Sequence, residues 1–389
     1  MTGQVALVGL GEIGLGAHLP ALLRSERLRL VAVADPSSDR RRLAAEVLER
    51  HGRTDVVIHQ DLEQVLAEGP DGVVLATPPW VTPDLTVRIA RAGPAVLAEK
   101  PVAPSIEDAE LYAVLHAAER ARIQVGLTYR HDPALDELRT LITDGALGDP
   151  LLVRAAIYDE LAHGDHDHDR LITETLQHGS PVIHEGAHVF DWLSSLFGGV
   201  GEIEDAWATT TRPGLAAPNL IGGRLTYPGA TVLLEFGWFT PAQPRCELIF
   251  FGDGGLATLD GGSFDLTVEL AGREPVRHRF EPDRGTRCFD RQVDRFADLL
   301  AGGTAEPSLD DGIAALITSQ RLQQRALAPS FPEPVEGQAR SSPEADGSDL
   351  PFDKLRERSG LPFDTDSSLA DSGSTAPPAG ADDATRSER

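Results

Sequence analysis

The stretch Gln4–Gly14, QVALVGLGEIG, decides the fold. Its first half is a short apolar, β-branched run that ends in glycine, the form of a buried strand. Its second half, Gly9-Leu-Gly11-Glu12-Ile13-Gly14, is G-x-G-x-x-G, and the helical stretch AHLPALLRSE follows at 17–26. Between a strand and a helix each glycine has a task. Gly9 permits the tight turn, Gly11 lets the backbone approach a pyrophosphate, and Gly14 allows close helix–strand packing. The amides of this loop and of the helix start, Glu12 and Ile13 among them, then face the phosphates. A second strand, LRLVAVAD (28–35), ends in Asp35. That is the place for an acid that hydrogen-bonds a ribose 2′-hydroxyl and repels a 2′-phosphate, so NAD is the expected cofactor. Arg40, Arg41 and Arg42 keep NADP possible, although they also read as the exposed start of a helix.

Outward from this stretch, strand and helix alternate. Helices are expected at 37–52, 61–68, 82–93 and 105–121, with Ser105 as the cap of the last. Strands are expected at 71–78, 95–101 and 122–129. The strands are apolar throughout, as in a parallel, doubly wound sheet buried on both faces. After about residue 150 the pattern changes. Strands are predicted at 151–160, 202–211, 220–227, 230–239, 245–252, 256–261, 264–272 and 275–282. The segment 181–197 reads as a helix, and two more helices follow at 288–303 and 310–327. The expected fold is α/β: a Rossmann domain over 1–127, then an α+β domain over 128–328 with an open, mainly antiparallel sheet. The Pro- and Ser-rich segment 329–389, with LPFD at 350 and again at 361, reads as a disordered tail.

The charge balance, 35 basic against 61 acidic residues for a net −26, argues against a grip on nucleic acid or an anionic membrane surface. Two cysteines, Cys246 and Cys288, are too few for a disulfide framework. The N-terminus lacks a basic region before its apolar run, and no run approaches the ~20 residues that span a bilayer. The expectation is a cytoplasmic protein.

GLGEIG (9–14), VADP (33–36), ATPP (76–79), AEKP (98–101) and a later G-x-H (186–188) on a helix occur in that order. Together they resemble the glucose–fructose oxidoreductase/inositol dehydrogenase (Gfo/Idh/MocA) family of NAD(P)-dependent enzymes, over roughly residues 3–325. The resemblance implies a second domain whose open sheet mediates assembly into a homodimer or homotetramer. It implies that Lys100, next to Glu99, contacts both the substrate hydroxyl and the nicotinamide. Thr77 and Pro78 would lie beside the cofactor, Tyr129 and Arg130 would cross to the substrate side with Asp191, and His188 would be the catalytic acid/base. Two positions depart from the pattern. Thr82 stands where histidine is common, and His184 stands where an aspartate is usual, four residues before His188. Glu185 is the neighbouring carboxylate that would replace it, or else His184 binds substrate.

His184–His188, HEGAH, also fits the zinc pattern H-E-x-x-H. No metzincin continuation follows, because Asp191 stands where its glycine would be, so no metal is expected. His163–Asp169, HGDHDHD, reads as a solvated loop or substrate lid rather than a metal site, and Trp238 and Phe239 read as sheet packing. The expected activity is hydride transfer between nicotinamide and a secondary hydroxyl of a sugar, polyol or inositol-like substrate. His188 would serve as base and Lys100 as the polarising cation. A redox-assisted glycosidase or lyase, a non-catalytic NAD sensor and a zinc hydrolase are the alternatives.

Overall fold

The computed structural model describes residues 2–162, 166–240, 242 and 244–328. The tail expected at 329–389 and the start of the HGDHDHD stretch, His163–Asp165, lie outside the described residues. Six strands, β1 (Gly3–Val8), β2 (Leu28–Ala34), β3 (Val57–His59), β4 (Gly72–Leu75), β5 (Ala95–Glu99) and β6 (Ile123–Gly126), form one parallel sheet in the order β3-β2-β1-β4-β5-β6. Every residue of β4, β5 and β6 is buried. That burial is why these strands read as continuous apolar runs instead of alternating ones. The order reverses between β1 and β4. The crevice beyond the carboxyl ends of these two strands is therefore where a doubly wound sheet takes its ligand.

Eight further strands make the second sheet: β7 (Leu151–Leu161), β8 (Glu202–Thr209), β9 (Leu220–Tyr227), β10 (Ala230–Thr240), β11 (Glu247–Phe251), β12 (Gly255–Asp260), β13 (Leu266–Leu270) and β14 (Val276–His278). Their order is β14-β13-β12-β11-β7-β10-β9-β8, and only β7 with β10 is parallel. Alternation along β7 and β9 buries one face, against which the helices Pro181–Phe197 and Leu309–Leu327 lie.

Several segments differ from expectation. The stretch 105–121 is not one helix. It runs as Ile106–Ala109, a 3₁₀ turn Glu110–Val114 and a separate Ala117–Arg120. Ser105 does cap its start, accepting from Asp108 N at 3.1 Å. The break has two causes. The Tyr112 hydroxyl donates to Val102 O at 2.6 Å, and Glu119 accepts from His116 N at 2.7 Å in a new capping box. The strand β3 and the helix Pro133–Thr143, capped by Asp132 onto Ala134 N, were not foreseen. The latter part of HGDHDHD is helical, His166–Thr175, rather than a loop. The helix Arg284–Leu300, expected with the second domain, packs its Val293 and Phe296 onto the parallel sheet. Glycine makes room for it, since a Cβ on Gly72 would stand 2.8 Å from the Phe296 ring.

Candidate active site

The chain from Glu12 to Arg24 is helical, with a single π turn at Gly14–His18. The three glycines before and within it differ in what surrounds them. A Cβ on Gly9, whose φ is +94°, would lie 2.2 Å from Ala76 O. One on Gly14 would lie 2.1 Å from Gly9 O, whereas one on Gly11 would meet nothing within 4 Å. The first and third positions are therefore closed by the fold, and the second opens on empty space. That is the cradle a pyrophosphate needs. Asp35 braces this loop, because its carboxylate accepts from Leu10 N at 2.8 Å and from Ser37 N at 2.8 Å. Arg41 donates to the carbonyls of Asp35 and Pro36, and Arg42 pairs with Glu46. Two of the three arginines that left NADP possible are thus engaged elsewhere.

A cavity of about 500 Å³ runs from this loop into the second domain. It is lined on one side by Gly11, Glu12, Ile13, Thr77, Pro78, Glu99 and Lys100, and on the other by Tyr129, Asp159, Glu185 and His188. Thr82 does not line it. Its hydroxyl lies 2.9 Å from the Thr77 hydroxyl and ties down the turn that follows β4. Glu99 Oε1 is hydrogen-bonded to the fully buried His18 Nε2 at 2.7 Å, and its second oxygen accepts from Lys100 N at 3.2 Å.

Lys100 reaches across to the helix Pro181–Phe197. Its Nζ donates to His184 O at 3.0 Å and lies 3.6 Å from Glu185 Oε1. Burial disfavours the ammonium, but Glu185 and Glu99, with Asp159 beyond, outweigh it and hold the lysine above its ordinary value. His188 is driven the other way. Burial first, then the charges of Lys100 and Arg284, holds it well below 6.5. At neutral pH the ring is a neutral imidazole, packed on Tyr129 at 4.6 Å between ring centroids, with Nδ1 buried and unpartnered.

The two histidines of HEGAH do not converge. The His184 ring stacks on Trp238 at 5.0 Å and 18°, while His188 faces the cavity. Among the described residues no group of three or more His, Cys, Asp or Glu side chains is placed to hold a metal ion. Arg130 and Asp191, expected on the substrate side, spend their charges on each other. Arg130 Nε donates to Asp191 Oδ2 at 2.9 Å, and its guanidinium also reaches Asp311. Neither lines the cavity. Burial pushes Asp191 up to about 6 against the pull of Arg130, which leaves the pair ionised at neutral pH.

Four cavity residues are not among the expected site residues: Ala76, Thr128, Asp159 and Phe289. Phe289 comes from the helix that returns to the first sheet, a packing no local pattern announces. Asp159 lies near the end of a strand that was recognised, but its orientation follows from a register irregularity between strands far apart in sequence.

A family model described as an oxidoreductase family with an NAD-binding Rossmann fold matches residues 4–129. The GFO/IDH/MocA C-terminal domain matches 135–258. The chain is similar to inositol 2-dehydrogenase 4 of Saccharopolyspora erythraea, at 32% identity over 327 residues covering 80% of this chain and 90% of the relative. It is also similar to inositol 2-dehydrogenase 1 of the same organism, at 31% over 86% of this chain and 97% of the relative. Among solved structures, an oxidoreductase from Agrobacterium radiobacter in complex with NAD+, L-tartaric acid and magnesium superposes with a TM-score of 0.71. Its identity is 18%, with 84% of this chain and 96% of that one covered.

Proposed function

This chain belongs to the GFO/IDH/MocA family of NAD-binding oxidoreductases, and from that premise we propose that it oxidises a secondary hydroxyl of an inositol-like cyclic polyol. The observation that carries the reading is the meeting of Lys100, Glu185 and His188 in one cavity that begins at the open face of Gly11. NAD, when bound, accepts the hydride from the carbinol carbon. Gly11, Glu12 and Ile13 would hold its pyrophosphate and Asp35 its ribose, with Thr77 and Pro78 beside the nicotinamide end. Lys100, kept as an ammonium by its carboxylate neighbours, donates to the reacting oxygen and stabilises the negative charge that develops there. His188 takes the hydroxyl proton. Its Nδ1 is sealed in the wall, which leaves Nε2 to accept it. The ring's depressed pKa means that it passes the proton on readily instead of retaining it. Glu185 is the carboxylate that positions Lys100, and His184 contributes its carbonyl. The names of the relatives point to inositol rather than to a simple alcohol.

The test is NAD reduction followed by absorbance over a panel of inositols, linear polyols and aldoses. Turnover with an inositol supports the proposal; thermal stabilisation by NAD without turnover of any panel member contradicts it. A second copy of the chain is assigned to the open face of the second sheet, where Trp207, Leu233 and Phe251 stand exposed. Trp207 and Leu233 line a broad concavity there together with Arg154, Arg224 and Ile249. That assembly is read out by sedimentation of the wild type against Trp207→Glu.

A further inference from the structure

We propose that Asp159 is the carboxylate that selects the substrate: it accepts a hydrogen bond from a hydroxyl adjacent to the one being oxidised, and so makes the site specific for vicinal hydroxyls. The proposal rests on the polyol reading above and goes beyond it by naming what the substrate must carry.

The backbone places this side chain. In the parallel pairing of β7 with β10, Tyr158 faces Gly237 and Glu160 faces Trp238, so the register skips Asp159. A skipped residue leaves the ladder and can be aimed elsewhere, which is why such irregularities recur beside active sites. Phe239, on the partner strand just beyond the shift, has a φ of 59°, the left-handed region that a phenylalanine rarely enters. Ile157 and Tyr158 before the skip are buried, while Asp159 opens onto the cavity that holds Lys100, Glu185 and His188.

One carboxylate oxygen is fixed and the other is free. Trp238 Nε1 donates to Asp159 Oδ1 at 2.5 Å, and the indole is held in turn by its stack on His184. Among the described residues no hydrogen bond reaches Oδ2. The result is an acceptor held from behind and open toward the reacting cation. Lys100 shares the cavity with two carboxylates, Glu185 at 3.6 Å from its Nζ and Asp159 elsewhere on the lining. Such a cavity suits a substrate whose reacting oxygen accepts from the lysine while a neighbouring hydroxyl donates to a carboxylate. A monohydric alcohol, or a deoxy analogue, covers this acceptor without pairing it. Sites built around such a bond reject analogues that lack it far more strongly than apolar pockets reject a missing methylene.

The titration of Asp159 supports the same role. It is reachable by solvent yet seated deep among protein atoms. That burial, with Glu185 and then Glu160 adding to it, pushes it up to about 7 against the Trp238 hydrogen bond and the Lys100 charge. The Cys246 thiol is the other ionisable group that feels its charge, and His184 faces it only through the indole. A charged acceptor bonds roughly twice as strongly as a neutral one. Discrimination should therefore sharpen as pH rises through neutrality.

The experiment compares kcat and KM for myo-inositol and 1,3-dideoxy-myo-inositol, which lacks both hydroxyls beside the one at position 2, with NAD at pH 6 and pH 8, in the wild type, Asp159→Asn and Trp238→Phe. In Asp159→Asn the Trp238 donor occupies the amide oxygen, so an NH₂ group faces the substrate where an acceptor is needed. At pH 8 the KM for myo-inositol should rise by about tenfold or more in this variant, with kcat within about threefold, and the deoxy analogue should be little affected. The wild-type preference for myo-inositol should grow from pH 6 to pH 8 and be flat in Asp159→Asn. Trp238→Phe keeps the stack but loses the donor, and should show part of the same loss. An Asp159→Asn enzyme that keeps the wild-type ratio of kcat/KM for the two substrates at pH 8 overturns the proposal alone. A wild type stabilised by NAD that oxidises neither compound overturns the polyol reading, and this proposal falls with it.

Discussion

Individual side chains in this protein can be separated by what they leave room for. Gly14 and Gly11 belong to one motif but face opposite constraints. Gly14→Ala drives a methyl to within van der Waals overlap of Gly9 O, so the loop must shift and both stability and NAD binding should be lost. Gly11→Ala meets nothing in the protein. Its melting temperature should stay the same or rise slightly, because alanine restricts the unfolded chain, while its NAD affinity falls by about tenfold or more as the methyl occupies the pyrophosphate approach. Calorimetric titration of NAD into the two variants, beside their melting curves, distinguishes these roles. Equal losses of stability would contradict the assignment. The glycine loop was legible from sequence because strand, turn and helix chemistry constrain residues close to one another along the chain, whereas Lys100, Glu185 and His188 were reached through the resemblance that AEKP and G-x-H carry. Asp159 was not legible, since what aims it is a register shift against β10 almost eighty residues further along. Arg130 and Asp191 were misplaced for a related reason: a resemblance says that charged residues occur there, and not whether they spend their charge on each other.

Elements are held together at a junction that no motif marks. Asp132 caps the helix Pro133–Thr143 by accepting from Ala134 N at 2.9 Å, and its second oxygen accepts from Arg287 Nε at 2.8 Å. Both side chains are buried, and Arg287 also donates to the carbonyls of Phe280, Pro282 and Ser263. One carboxylate thus ties the start of the second domain to the helix that returns to the first sheet. Asp132→Ala removes the cap and strands a buried guanidinium, so it should destabilise the protein by about 3–5 kcal/mol, read as a shift in the denaturant midpoint. A cost under about 1 kcal/mol would show that the junction is not under this control. The helical run at 105–121 shows the limit of periodicity in the same way. Its apolar spacing is helical, yet a capping box at His116 and a tertiary bond from Tyr112 divide it.

At the scale of the whole molecule, one buried histidine makes its own contribution to stability fall with acidity. His131 is buried with Nε2 unpartnered, and burial, then Arg130, Arg295 and Arg291, lowers it to about 3. The sign is set by proton uptake. Between pH 3 and the ordinary histidine value of about 6.5 the unfolded chain binds a proton that the folded chain refuses. Its contribution is therefore complete above about pH 6.5 and is lost as pH falls, on the order of a few kcal/mol. A pH series of urea midpoints should show that slope in the wild type and a shallower one in His131→Gln; parallel slopes would remove this histidine from the account. The order of strand and helix patterns along the chain predicted two sheets of different type. The return of the helix Arg284–Leu300 to the first sheet stayed hidden because helix propensity carries no address. The most direct test of the central claim is the turnover of Lys100→Ala and His188→Ala beside their NAD affinities. Both should lose on the order of 10²–10⁴ in kcat for inositol oxidation while still gaining the wild-type thermal stabilisation from NAD. Two folded variants that bind NAD and turn over at the wild-type rate would contradict it.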